Sequence, residues 1–422
     1  MMASKQTRIG ALAQACNTAI RLPHMSLANP YIINEREVAA DIGCLHAAWS
    51  RARTFAFISD RSGCPEGWVE QQLNRLPTEY HEHHFILLTS GSTGRPKLVV
   101  GRRDRAERLA EELHQLQESE LIDEAICALP LTYCYSFVNQ WLWARKHQRK
   151  LTITAGLAQP DRFKKAMLEA KSAMLCLVGA QVPILAQYYE GYSFPGIIRV
   201  HFAGGRFPQD RLDLVRKLFP QAVIFNNYGC AEAMPRLTLR RAEAAQVANH
   251  IGWPLPGIEM KTDESERVLF RSPYGAVALM DEKGLIRVDD STWVPSGDLG
   301  RVMEDGHWEL LGREGEVFKR YGEKISLAQI LNSVRAKWCG QADCYRETDQ
   351  RGEAGYVLVL APHPAEDEVR AILKEISLKH PRTHWPLRLE SIETMPLLAN
   401  GKIDREGLSR QPNPKNHWRQ RI

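Results

Sequence analysis

Positions 89–97 crowd hydroxyls, glycines and a lysine into one short stretch: Thr89, Ser90, Gly91, Ser92, Thr93 and Gly94, then Arg95, Pro96 and Lys97. Glycine admits backbone angles closed to other residues and lets the main chain approach a ligand, while the hydroxyls donate hydrogen bonds. Consecutive N–H groups in such a turn converge on an anion, and Lys97 adds a full positive charge beside them. The stretch therefore suits phosphate. It is not a P-loop, because Lys97 follows Arg95-Pro96 and leads into a β-rich run instead of a helix. Alone, so short a Gly/Ser segment reads more readily as a hairpin turn without ligand, and the rest of the chain has to decide.

Three further segments add groups of matching chemistry. NNYGCAEAMPR, 226–236, sets the Tyr228 ring at a strand end, then Gly229, then the Glu232 carboxylate. A purine can stack on the ring, and the carboxylate can hold the Mg²⁺ that accompanies a nucleoside triphosphate. PSGDLGR, 295–301, puts Asp298 behind a glycine turn, where it could accept both hydroxyl protons of a ribose. LLGREGEVFKRYGEKIS, 310–326, presents Arg313 and Lys319, and MPLLANGKIDREGL, 395–408, presents Lys402 in a turn. Phosphate loop, adenine shelf, metal carboxylate, ribose carboxylate and mobile lysine together describe an ATP site.

The elements that must position these groups follow from periodicity. Ile86, Leu87 and Leu88 before the loop, and Leu98, Val99 and Val100 after it, predict two buried strands. The runs FAFI, FILL, AICALP, KLTITA, AMLCLV, IIRVHF and AVIFNN alternate with helix-compatible stretches such as Arg105 to Gln117. That alternation predicts an α/β fold with a largely parallel sheet and ligand residues at strand ends. GRVMEDGHWELLGR reads as a hairpin turned at Asp305-Gly306. A small α/β unit follows: Leu327, Ile330, Leu331, Val334 and Trp338 on one helical face, the strand GYVLVLA, and a second helix through Val369, Ile372, Leu373 and Ile376 ending before Pro381. The expected boundary lies near Arg313, giving units 1–312 and 313–422, the second a small one.

Composition excludes several classes. A chain of 422 residues with 44% hydrophobic and 25% charged content can bury a sizeable interior. The net charge of +5 is small and interspersed, which argues against nucleic acid; Arg102, Arg103 and Arg105 read as a solvated face. Nine cysteines without C-x-x-C spacing suggest neither a disulfide framework nor a zinc site. No leader pattern and no membrane-length apolar run stand out, so the expectation is an untargeted cytoplasmic protein without membrane insertion.

Eight segments, LTSGSTGRPK, LPLTYCYSF, HFAGGRFP, NNYGCAEA, IGWPLPG, PSGDLGR, LLGREGEVFKRYGEKIS and MPLLANGKIDR, follow one another from residue 88 to 408. In them the chain resembles the acyl-adenylate-forming superfamily of acyl- and aryl-CoA synthetases, peptide-synthetase adenylation domains and luciferases. The resemblance implies a large N-terminal domain of layered sheets and helices plus a small mobile C-terminal α/β domain. It implies a ligase that joins a small carboxylic acid to ATP, giving acyl-AMP and pyrophosphate, then forms a thioester on CoA or on the phosphopantetheine of an acyl carrier protein. By position, Thr89 to Lys97 would hold the β- and γ-phosphates, and Gly204, Gly205, Tyr228 and Gly229 would surround adenine. Glu232 would bind Mg²⁺, Asp298 with Arg313 would hold the ribose, and Lys402 would bridge the attacking carboxylate and the α-phosphate. After adenylation the small domain would rotate, withdrawing Lys402.

The chain departs from the family in places. Only 88 residues precede Thr89, which implies a reduced N-terminal subdomain and a pocket wall completed by a partner or second subunit. Ala231 stands where the family has threonine, and Gly315 at the usual hinge Asp or Lys. These changes support the alternatives of a nucleotide-binding scaffold or an enzyme that stops at acyl-AMP, but the retained Lys97, Glu232, Asp298, Arg313 and Lys402 favour activity. Cys134 falls where amino-acid activators hold aspartate, so the acid has no α-amine. Tyr133, Tyr135 and Phe137 suggest an aromatic or medium-length apolar acid, although ordinary core explains them equally; Val182 and Pro183 are expected to line the same region. In HEHH, 81–84, His83 and His84 point to opposite faces, Cys230 reads as filler, and Trp141 and Trp143 as packing.

Overall fold

The computed structural model describes residues 29–60, 64–90, 96–245, 249–397 and 403–420. Each apolar run named above falls in a strand: Phe55–Ile58, His84–Ser90, Glu124–Cys127, Lys150–Ile153, Ala173–Leu177, Ile197–Phe202 and Val223–Tyr228. They divide between two sheets. A six-stranded sheet runs Tyr31–Asn34, Phe55–Ile58, His84–Ser90, Pro96–Arg102, Ala278–Asp281, Gly284–Arg287. An eleven-stranded sheet begins with Glu259–Thr262, Arg267–Arg271, Val294–Val302, Trp308–Arg313, His250–Pro254 and Thr238–Arg241. It continues through Val223–Tyr228, Ile197–Phe202, Ala173–Leu177, Glu124–Cys127 and Lys150–Ile153.

Those last five strands are parallel, and the other pairs in the large sheet are antiparallel. The sheet is therefore mixed, not largely parallel. After Tyr228 the connections lose their helices, and a strand that returns without a crossover can only pair antiparallel. The hairpin at Asp305-Gly306 is one such return, with Val302 opposite Trp308.

Period-two alternation gives the parallel strands two distinct faces. Leu175, Leu177, Val200, Phe202 and Ile224 pack on one face with Phe163, Val182 and Val215. Cys176, His201 and Phe225 form a row across the opposite face. That face is covered by the helix Arg103–Leu116, whose Ala106, Leu109, Ala110 and Leu113 repeat at helical spacing, and by a helical stretch from Cys134 to Lys146. The middle of this stretch, Phe137–Leu142, is a π-helix, the kind of local widening that recurs at functional sites.

The helix Leu327–Arg335 ends before Trp338, which is nonetheless buried in the same cluster, and the helix Glu366–Lys379 stops before Pro381. With the strands Gln341–Thr348, Ala354–Ala361, Arg388–Ser391 and Lys415–Arg419 they enclose a core of their own. This smaller unit meets the larger one through Lys324 and Glu266, 2.6 Å apart, and through Arg211, which donates to the Gly340 carbonyl. Arg103 is a correction to the solvated arginine face: it is buried and donates to the carbonyls of Trp49, Arg51, Arg53 and His84. A guanidinium can satisfy several inward-facing loop carbonyls at once.

Candidate active site

The hairpin formed by His84–Ser90 and Pro96–Arg102 sets Thr89 directly opposite Lys97. Alternation puts Lys97 on the same face as Leu87 and Val99, the face that packs toward the large sheet. There the Lys97 ammonium lies 3.4 Å from Glu232 Oε1, with the two side chains 31% and 18% exposed. Glu232 sits in the short turn Ala231–Ala233 that follows Val223–Tyr228. This turn doubles back tightly enough that a Cβ on Gly229 would stand 1.9 Å from the Pro235 carbonyl oxygen, so the fold itself requires glycine there. The Glu232 carbonyl accepts from Ala276 N, which ties the turn to the six-stranded sheet.

Asp298 and Arg313 are cross-strand partners, and Arg313 Nε is 3.0 Å from Asp298 Oδ1. The Tyr228 hydroxyl donates to the other carboxylate oxygen at 2.7 Å. Burial, and then the Asp298 charge, push the Tyr228 phenol well above its ordinary value, so it remains a neutral donor. Burial opposes the charge on Arg313, but Asp298 together with Tyr228, Cys230 and Glu316 outweighs it and the guanidinium is raised. Each oxygen of Asp298 is thus engaged already, although a carboxylate has lone pairs left for ribose hydroxyls. Cys230 lies within electrostatic reach of Glu232, Asp298 and Arg313, and burial first, then the two carboxylates, keep its thiol protonated. That suits a filler residue and not a nucleophile.

Gly204 and Gly205 follow Ile197–Phe202, the strand hydrogen-bonded to the one that ends in Tyr228. Gly204 has φ +74°, a left-handed conformation, and both glycines are exposed. All these groups gather outside the carboxyl ends of the parallel strands, where open α/β sheets take their ligands.

On the acid side the structure separates residues that the sequence grouped. Cys134 is buried with its sulfur 3.8 Å from Met234 Sδ, and Tyr133 and Tyr135 are half-buried. Phe137 is fully buried instead, stacked on Phe85 and against Trp49 and Trp141. Burying such a ring stabilises by roughly 1.5–3 kcal/mol, so Phe137 is core and not pocket wall. Val182 is corrected as well: it packs on the opposite face of the parallel strands, away from Cys134. Trp141 and Trp143 are fully buried packing residues. His83 is exposed and His84 buried, on opposite faces.

Two residues not singled out in the sequence stand here. Arg236, 1% exposed, lies with its guanidinium 5.5 Å from the Tyr135 ring centre and donates to Asn139 Oδ1 at 2.7 Å. His201, also 1% exposed, stacks on Phe225. Gly91, Ser92, Thr93, Gly94 and Lys402 lie outside the described residues, and Ser90 is described only by its backbone pairing with Pro96.

Comparison with known proteins gives a consistent picture. A family model described as AMP-binding enzyme matches residues 33–276. The chain is 24% identical to a 2-succinylbenzoate–CoA ligase of Bacillus pumilus, covering 76% of this chain and 68% of that one. It is 22% identical to a D-alanine–D-alanyl carrier protein ligase of Staphylococcus haemolyticus, covering 78% and 71%. Other relatives are far longer: the chain spans only 27% of a delta-poly-L-ornithine synthetase of Acinetobacter baumannii, at 24% identity over 82% of this chain. Among solved structures, o-succinylbenzoate CoA synthetase of Bacillus subtilis in complex with its acyl-adenylate intermediate superposes with a TM-score of 0.70. That match covers 92% of this chain and 89% of the other at 16% identity, and it establishes the fold: a large N-terminal domain and a small C-terminal one.

Proposed function

The chain belongs to the AMP-binding enzyme family, and from that premise we propose that it activates a carboxylic acid lacking an α-amine to acyl-AMP and transfers the acyl group to a phosphopantetheine thiol. The observation that carries the reading is the assembly of two charge groups, Lys97 with Glu232 and Tyr228 with Asp298 and Arg313, both within reach of Cys230 or its neighbours at the carboxyl ends of the parallel strands. The relatives named for CoA and for carrier-protein ligation support thioester formation as the second step and leave both acceptors in play.

In this reading Asp298 and Arg313 hold the ribose, and Tyr228, flanked by Gly204 and Gly205, holds adenine. Thr89 to Lys97 cradle the β- and γ-phosphates. Glu232 is a half-exposed carboxylate with one lysine neighbour, a donor set that fits Mg²⁺, which takes one or two carboxylates plus substrate phosphates. When bound, Mg²⁺ supplies neutralisation of phosphate charge. Lys97 stabilises charge on the departing pyrophosphate, and Lys402 aligns the carboxylate oxygen that attacks the α-phosphorus. Rotation of 313–422 then withdraws Lys402 and admits the thiol, whose attack on the acyl carbonyl releases AMP.

ATP–pyrophosphate exchange across a panel of carboxylic acids tests the proposal. Exchange with at least one acid and its loss in Lys402→Ala are expected. ATP binding without exchange for any acid would favour the scaffold alternative.

A further inference from the structure

Arg236 is a buried cation without an anion. Among the described residues no carboxylate pairs with it, and its one hydrogen-bond acceptor is the neutral Asn139. Its Nε has no partner. A neighbouring group is also unsatisfied: both ring nitrogens of His201 are buried without a partner among the described residues. Unpaired buried polar atoms are rare, and an unpaired buried charge rarer, because each costs desolvation that nothing repays. Other groups near Arg236, Cys134, Cys176 and Tyr135, are neutral, their protons held on by burial.

This cluster has a defined place relative to the nucleotide groups. Arg236 lies over the ring of Tyr135, next to Cys134, and the Cys134 sulfur is 3.8 Å from Sδ of Met234, two residues from both Glu232 and Arg236. The segment Tyr228–Arg236 thus runs from the Tyr228–Asp298 hydrogen bond, past Glu232, to the helical stretch Cys134–Lys146.

We propose that the acid carries a second carboxylate, and that Arg236 is the specificity-determining residue that pairs with it, with His201 as a neighbouring hydrogen-bond donor. A planar guanidinium matches a carboxylate in two-point geometry, and a site built around such a pair rejects the analogue that leaves the cation unpaired. The inference rests on the adenylation reading and narrows its substrate to a dicarboxylic acid.

The test is ATP–pyrophosphate exchange by the full chain on matched acids that differ only in the second carboxylate: butanoate and succinate, hexanoate and adipate, benzoate and isophthalate. In at least one pair the dicarboxylate is expected to exceed its partner in kcat/KM by about tenfold or more. Arg236→Met should lower dicarboxylate use by about a hundredfold and abolish that preference, and Arg236→Lys should restore part of it. Monocarboxylates used as well as dicarboxylates by the wild-type chain would overturn the inference and leave adenylation standing, whether or not the variants fold. A preference that survives Arg236→Met would overturn the role of that residue. Silence with every acid, these and the broader panel, would overturn adenylation itself, and the inference with it.

Discussion

The proposed nucleotide side and the proposed acid side of the site handle charge in opposite ways. On the nucleotide side Lys97 faces Glu232, and Asp298 is shared by Arg313 and Tyr228, all before any ligand arrives. On the proposed acid side Arg236 is 1% exposed, with an amide oxygen and the Tyr135 ring beside it but no carboxylate among the described residues. The first arrangement is set by strand register and stands ready, and its charges remain partly hydrated. The second holds a desolvated charge that only an incoming group can compensate. A pre-paired site suits a ligand common to a whole family, whereas an unpaired one makes binding depend on the particular acid.

Breaking a pair on the nucleotide side should separate chemistry from stability. Lys97→Ala removes a partly exposed ion pair, which is worth about 0–1 kcal/mol to folding. If Lys97 stabilises charge on the pyrophosphate, exchange should fall on the order of 10²–10³-fold, the usual effect of losing one such donor. Thermal denaturation and exchange on the same preparation check both. A large drop in melting temperature with modest loss of exchange would make Lys97 a structural residue.

Asp298→Ala should act on both quantities and less steeply on rate. The Tyr228 hydroxyl loses its buried acceptor, costing about 1–3 kcal/mol of stability, while Arg313 can still reach water. Measured by calorimetry, ATP affinity should fall roughly tenfold, as for one lost charge-assisted hydrogen-bonded contact. Unchanged affinity would move the ribose elsewhere and weaken the contrast between the two sides.

The two sides also differ in how far the sequence discloses them. Tyr228, Glu232, Asp298 and Arg313 stand out in the sequence because each charged or aromatic group lies near glycine next to an apolar run; the structure brings them together, with Glu232 in a short turn and the other three in or at the ends of strands. The strands were readable too, but the antiparallel half of the large sheet was not, because short connections decide pairing direction and periodicity does not encode it. Phe137 and Val182 show the limit of composition: an aromatic or aliphatic residue near a pocket motif is indistinguishable from core until packing is seen. Arg236 closed the segment NNYGCAEAMPR and passed unnoticed, since arginine is presumed solvated.

The smallest effect is a pH dependence to which the proposed acid side contributes through His201. Burial, with added repulsion from Arg236 and Arg199, pulls the His201 imidazole from 6.5 down to about 3. Between those values the unfolded chain binds a proton that the folded chain refuses. His201 therefore leaves stability intact above pH 6.5 and lowers it as the pH falls toward 3, by at most about 1.4 kcal/mol per pH unit. Denaturant titrations from pH 6.5 to 4.5 should show this slope, and His201→Leu should make it shallower without removing it. His250, drawn to about 4 by burial and by its stacked neighbour His307, titrates over the same range in the same direction. A dicarboxylate bound beside Arg236 would offset the repulsion, raise His201 and flatten the slope of the wild-type chain but not of His201→Leu. ATP, whose binding groups named above include no histidine, should leave that slope alone. Flattening by ATP and not by dicarboxylate would place the compensating anion on the wrong side of Cys134 and collapse the distinction between the two regions.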